Sequence, residues 1–449
     1  MQRTIRIVLF VALLFGVFAF FGADSVQAVG KFPEYTAGVQ VANLTNTTAD
    51  TVTLTCYTSD GSTAGTDSAS IAGNSSKTFF PLGCNPGFSG AVVVSADQEI
   101  AAIANVLSAN FSAGASYVGR SSGAETVNLP LLFKNNNGLD TYFAVQNAGG
   151  SPANITVDYS DGTSASANNV SPNAAAVFDQ ANENHNSAVF AGSANAPGGD
   201  LVAAVIQENS SIMWAYTGFT SSSTNPVFPL VNANNNNIQT GIQIQNTGSD
   251  STSVTVSYTP SLAGDACTET RTIAPGASST FAFVAFANGD SSTCTAGAKF
   301  IGSGQVTANS TNQPLVGIVN QLLPGVNGEA YNAFAPTDGS STLVMPLIMD
   351  RNNGYFTGFA VANIGNSTTT VNCTFSPTDK VPNPTYTVNA NLAPGESVAD
   401  LQQNKIGDGY VGSATCTASG GGSIVGIVNQ LGPNGALDQL FVYEAVNVN

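Results

Sequence analysis

The residues able to carry chemistry in this 449-residue chain are few and scattered. Its single histidine, His185, lies in the polar stretch Asn182-Glu183-Asn184-His185-Asn186. A Ser-His-Asp mechanism needs that imidazole as general base, but the setting reads as a solvated loop. The sequence contains no His-Glu-x-x-His pair, nucleophile elbow or phosphate-binding loop. Glycoside hydrolysis needs two carboxyl groups flanking one bond. Here the acidic residues are dispersed, and Asp60-Gly61 and Asp161-Gly162 have the form of hairpin turns. Asp140, Asp338 and Asp350 fall near joints between repeated units and are candidates for calcium, although no Asp-x-Asp-x-Asp loop gathers oxygens. We expect no catalytic residue and no cofactor, with calcium at a joint as the one exception.

Two further residue types stand out. Trp214, in Met213-Trp214-Ala215-Tyr216, is a candidate glycan contact, because an aromatic face packs on a sugar ring. The alternating strand around it also suits a core aromatic, as do Tyr117, Tyr331 and Phe441 in corresponding late strands. Six cysteines fall as Cys56 and Cys84, Cys267 and Cys294, Cys373 and Cys416, none in the C-x-x-C spacing of a zinc or redox site. Three local disulfides are the economical pairing, and loops of this length are each worth about 3–4 kcal/mol in the chain-entropy model.

The elements that must position these residues repeat four times. Each copy opens with an alternating strand ending in Asn: Gly38 to Asn43, Tyr142 to Asn147, Gly241 to Asn246 and Gly358 to Asn363. A second strand ends in Tyr57, Tyr159, Tyr258 or Phe375. A turn follows at Gly73-Asn74, Pro172-Asn173, Pro275-Gly276 and Pro394-Gly395, and its third position must take a positive φ. Next come aromatic-x-Gly steps at Phe88, Phe190, Phe300 and Tyr410, then an apolar strand such as Ile424 to Val428. Joints of the form apolar-Pro-apolar (Leu129-Pro130-Leu131, Phe228-Pro229-Leu230, Met345-Pro346-Leu347) lead through Asn-rich turns into the next copy. Period-2 patterning, β-branched residues and regular turn signals indicate strands throughout.

Composition sets the compartment and excludes some partners. Arg3 and Arg6 precede the apolar run Ile7 to Ala23, and Val26-Gln27-Ala28 has the small-x-small form of a cleavage site. Residues 1–28 therefore read as a signal peptide, and six cysteines suit an oxidising destination. Lys+Arg 11 against Asp+Glu 28 gives net −17, which disfavours nucleic acid. The mature form carries no membrane anchor on this reading. Sequons such as Asn43, Asn154 and Asn366 are no more frequent than 46 Asn among 89 Ser and Thr produce by chance.

The tandem opening strands, Pro-Gly turns, aromatic-x-Gly steps and the strand Ile424 to Gln430 resemble immunoglobulin-like repeats of bacterial surface and extracellular-matrix proteins. The resemblance covers almost the whole mature chain and implies a sandwich fold in a surface setting, with no active site. Four tandem immunoglobulin-like β-sandwich domains are thus expected over 29–132, 133–230, 231–347 and 348–449, all-β and strung as an elongated rod. The expected role is a structural or adhesive component of a bacterial envelope, sheath or extracellular filament, self-associating into a filament or layer. Binding of an envelope or matrix polysaccharide is the alternative, ahead of an extracellular hydrolase.

Overall fold

The computed structural model describes residues 5–11, 30–32, 34–282, 291–323, 326–433 and 437–448. Over these residues it is all-β, built from eight small antiparallel sheets, none closed into a barrel. In the second repeat, strand Asp140–Asn147 pairs with Ala175–Asp179 and Leu201–Glu208, and Met213–Thr217 forms the sheet edge. The companion sheet runs Ser164–Val170, Ala153–Tyr159, Val189–Asn195, Thr126–Phe133. The same strand order recurs in the other three repeats, with the short edge strands Ser291–Ser292 and Val446–Val448 added in the third and fourth.

Local chemistry explains these elements. Ala153–Tyr159 and Thr369–Phe375 alternate strictly between buried and exposed, as strands with one wet face must. The Asn-rich joints are two-residue hairpins: Asn137 and Gly138, Asn236 and Asn237, Asn353 and Gly354 all have positive φ. Type I′ turns demand that conformation at both central positions, and Asn and Gly tolerate it best. In the Pro-Gly turns the third position is likewise at positive φ, at Asn74, Asn173, Gly276 and Gly395.

The Asn that ends each opening strand is buried and acts as an anchor. Asn246 Nδ2 donates to the carbonyls of Asp250 (2.8 Å) and Ile273 (3.1 Å), while its Oδ1 accepts from Gly248 N (3.0 Å). Asn43, Asn147 and Asn363 make the same three bonds in their own repeats. The sequon at Asn43 is therefore closed to glycosylation in the folded chain. Disulfides join Cys56 to Cys84, Cys267 to Cys294 and Cys373 to Cys416. Cys373 and Cys416 face one another on adjacent strands, whereas Cys267 starts the hairpin strand Cys267–Ile273. The second repeat has no disulfide and holds together by packing alone.

The four repeats are not strung out, and the expected elongated rod is incorrect. Their last strands, Gly114–Val118, Met213–Thr217, Asn327–Asn332 and Leu440–Glu444, pack side by side in a closed cycle, first on second, second on third, third on fourth and fourth on first. Apolar clusters cross every junction. Tyr35 and Tyr142 share one such cluster and meet edge-on, Trp214 and Ile318 belong to a second, Val256 and Val425 to a third, and Ile103 and Met345 to a fourth. The joint strands explain the difference. They are members of the sheets they enter, not spacers, so successive repeats turn around an axis.

Removing an anchor should unfold more than its own turn. Asn246→Ala deletes three hydrogen bonds and strands buried partners, so we expect a loss of about 2–4 kcal/mol. Urea unfolding should show this, while exposed Asn391→Ala stays within about 0.5 kcal/mol of the unmodified protein.

Candidate functional site

Each axial strand is the edge of its sheet, so its outward backbone groups have no strand to pair with. Four such edges meet at the axis, and buried carboxylates complete them. Glu329 Oε1 accepts from Ala215 N (2.7 Å) and Ala330 N (2.8 Å), and its Oε2 from Ser116 N (3.0 Å). Asp438 accepts from Met213 N (2.6 Å) and Gly328 N (3.0 Å), and its own N donates to Ser112 O (3.0 Å). Glu444 accepts from Asn332 N. Thr217 Oγ1 donates to Val118 O (2.9 Å), and Ser116 Oγ to Val442 O (3.0 Å). The Glu329 and Asp438 side chains thus each tie three repeats together, and the backbone N–H of Asp438 adds the fourth.

Burial dominates the electrostatics of these groups. It pushes the Asp438 carboxyl up to about 8, against the pull of the Met213 and Gly328 N–H groups. It raises Glu329 well above the carboxylate range and raises Glu444 against the pull of the Asn332 N–H and of Arg120. Glu208, at the junction of the first two repeats, is pushed up to about 7 by burial, opposed by the Tyr35 hydroxyl (2.6 Å) and Lys31 N. At one end the axis opens into a depression of about 450 Å³, lined by Arg120, Phe219, Phe334, Asp338, Glu444 and Asn447.

A larger groove of about 750 Å³ lies between the second and third repeats. Leu131, Phe133, Ile212 and Leu322 make its apolar walls, and Asn136, Asn137, Gln239 and Asn327 line it with amides. Trp214 lies at this groove but is only 3% exposed. Its indole N–H donates to Gln207, and its ring meets Phe133 edge-on at 6.3 Å and lies so close to Gly328 that no Cβ would fit. The glycan candidate is therefore a structural part of a groove wall, not an exposed stacking platform. At the preceding junction the corresponding ground is covered: Lys31 pairs with Asp140 (2.6 Å) and Tyr35 packs on Tyr142.

The remaining candidates are engaged elsewhere. His185 is not a solvated loop residue. Its side chain is buried, stacks on Phe190 at 4.0 Å and contacts Asp161 Oδ2 (3.2 Å) and Thr163 Oγ1 (3.1 Å). Burial lowers its pKa, and Asp161 works against that. Asp60 and Asp161 close their turns by accepting from Ser62 N and Thr163 N. Asp350 accepts four backbone N–H groups from Asn404, Lys405, Ile406 and Gly407, and Asp338 accepts from Ala335 N. The three calcium candidates are thus each held by the protein's own donors. Among the described residues no group of three or more His, Cys, Asp or Glu could hold a metal ion. Sequence reasoning passed over the axial carboxylates. An acidic residue inside an otherwise buried strand, as in Asn327–Asn332, was the available signal.

The chain matches no known protein-family model and no characterised protein sequence. No helix among the described residues is long and apolar enough to cross a membrane.

The buried carboxyls of the axis and of the first junction carry a pH signature. Asp438 and Glu208 keep protons in the folded chain that the unfolded chain releases above about pH 4. The folded state then binds more protons, so stability falls as pH rises from about 4 towards 8. We expect Tm to drop between pH 5 and pH 8, and Asp438→Asn, which cannot ionise, to flatten that slope. A Tm that rises with pH over this range would mean that the axis is ionised.

Proposed function

We propose that the chain is an exported, non-enzymatic structural or adhesive protein of a bacterial envelope, sheath or extracellular filament. Residues 1–28 direct export, and four immunoglobulin-like β-sandwiches form the mature body. The observation that carries this reading is how the polar groups are used. The axial carboxylates and the terminal Asn of each opening strand are committed to holding backbone groups inside the fold, and the histidine is engaged by the Asp161 and Thr163 side chains. Three disulfides brace the modules, as suits an oxidising exterior. The unit of assembly is then the closed four-module block, and filaments or layers arise by stacking such blocks. Sedimentation and electron microscopy of the mature protein over a wide concentration range should reveal ordered assemblies. A strict monomer at all concentrations would count against the filament or layer.

A second reading, binding of an envelope or matrix polysaccharide, is favoured by the amide-lined groove between the second and third repeats. Apolar walls with a few polar groups are the usual form of a small-ligand site. Glycan-array binding should then weaken at least tenfold in an Asn137→Gly/Asn327→Ala double variant of unchanged Tm, glycine keeping the positive φ of the turn. An array with no bound glycan removes this reading.

A further inference from the structure

In the second, third and fourth repeats the joint strand completes the sheet beside the aromatic-x-Gly strand. Thr126–Phe133 pairs with Val189–Asn195, Val227–Ala233 with Phe300–Asn309, and Thr342–Asp350 with Tyr410–Ala418. Each pairing shifts register around the proline, between Leu129 and Leu132, Phe228 and Val231, Met345 and Ile348. The residue after that proline is then gripped by a buried tyrosine of the axial strand. The hydroxyls of Tyr216, Tyr331 and Tyr443 donate to the carbonyls of Leu131, Leu230 and Leu347 and accept from the same residues' N–H groups. These are the structural equivalents of Tyr117, two residues beyond the positions of Trp214 and Phe441.

The first repeat departs from this pattern. The place beside Gly90–Ala96 is taken by Ile5–Val11, which pairs over seven consecutive residues with no register shift. Those residues belong to the leader. Tyr117 is only 3% exposed, yet its hydroxyl has no hydrogen-bond partner among the described residues. A buried hydroxyl left unpaired is costly, and the other repeats show what would satisfy it. The leader strand fills the slot without supplying the bulge that the tyrosine is placed to hold.

We propose that the mature first repeat is a strand acceptor, whose open edge Gly90–Ala96 takes an extended apolar-Pro-apolar segment from another polypeptide. The segment would run antiparallel to Gly90–Ala96, kink at its proline, and present the following carbonyl to Tyr117. Strand addition of this kind takes affinity from backbone pairing and specificity from pockets for alternate side chains. The chain's three joint segments of this type are already built into its sheets, so the occupant comes from outside. This inference rests on removal of the leader but not on an adhesive or structural role.

Intact mass of the exported protein fixes its first residue, and a chain that retains residues 5–11 overturns the proposal. With a chain beginning at Val29, the probe is a fluorescent peptide of residues 126–133, Thr-Val-Asn-Leu-Pro-Leu-Leu-Phe, added to the native protein and during refolding. We expect saturable one-to-one binding and increased hydrogen-exchange protection of Gly90–Ala96. Replacing the peptide's Pro130 by Ala should weaken binding. Tyr117→Phe should weaken it about five- to tenfold, the value of one hydrogen bond, without lowering the free protein's Tm. Tyr216→Phe, which removes a satisfied hydroxyl, should lower Tm. A folded mature chain with all three disulfides that binds the peptide no better than a scrambled sequence overturns the acceptor, and leaves the reading of its role untouched.

Discussion

Four sheet edges brought together out of water must find partners for their backbone N–H groups, and the architecture follows from that requirement. A sandwich in isolation leaves its edge strand to the solvent, which satisfies it at little cost. Burying the edge saves apolar surface but leaves each unpaired amide costing about 1–3 kcal/mol. Carboxylate oxygens are suited to this task, since each accepts more than one bond. Glu329 serves three amides drawn from three repeats, and Asp438 serves two more. The cost of desolvating these groups appears as their raised pKa values, so the same burial that seals the axis makes it sensitive to pH.

Away from the axis, the repeats solve their local problems with shared devices, one present in all four and one in the last three. The terminal Asn of the opening strand joins two turns that would otherwise hold unpaired carbonyls. The joint strand bulges at proline, which cannot donate to a ladder, and a tyrosine from the axial strand takes the place of the missing pairing. This clamp links joint to axis. A change at one proline is therefore felt at the centre, where neighbouring repeats touch.

The strands, their turns and the disulfide partners were legible because they depend on local sequence. Alternation marks one wet face, Asn-Gly marks a positive φ, and cysteines close in sequence lie close in space. The elongated rod was a misreading of length scale. Short joints are compatible with a rod, but Leu440-Phe441-Val442-Tyr443 is apolar at successive positions, and all four are buried. A strand apolar on both faces must be covered on both faces, and that pattern argued for closure. His185 was misplaced for a related reason. A polar neighbourhood in sequence says little when Tyr159, from a strand well before it, and Phe190, just after it, close over the ring.

Near-repetition also makes departures informative. Four copies of one device define what each position should hold, so a copy that lacks a part stands out without any relative for comparison. By that measure the groove beside Trp214 and the first repeat differ in kind. At the groove Gln239 and Asn320 stand where Asp140 and Ile206 stand at the previous junction, and among the described residues no segment like Lys31–Phe32 covers them. It is a variation in side chains on an intact framework. The first repeat has the framework itself altered: its slot is filled by a strand without the proline bulge, and the tyrosine meant to hold that bulge is left idle. A missing backbone partner constrains its replacement far more tightly than an open cavity constrains its ligand, because a strand slot fixes direction, register and the place of the proline at once.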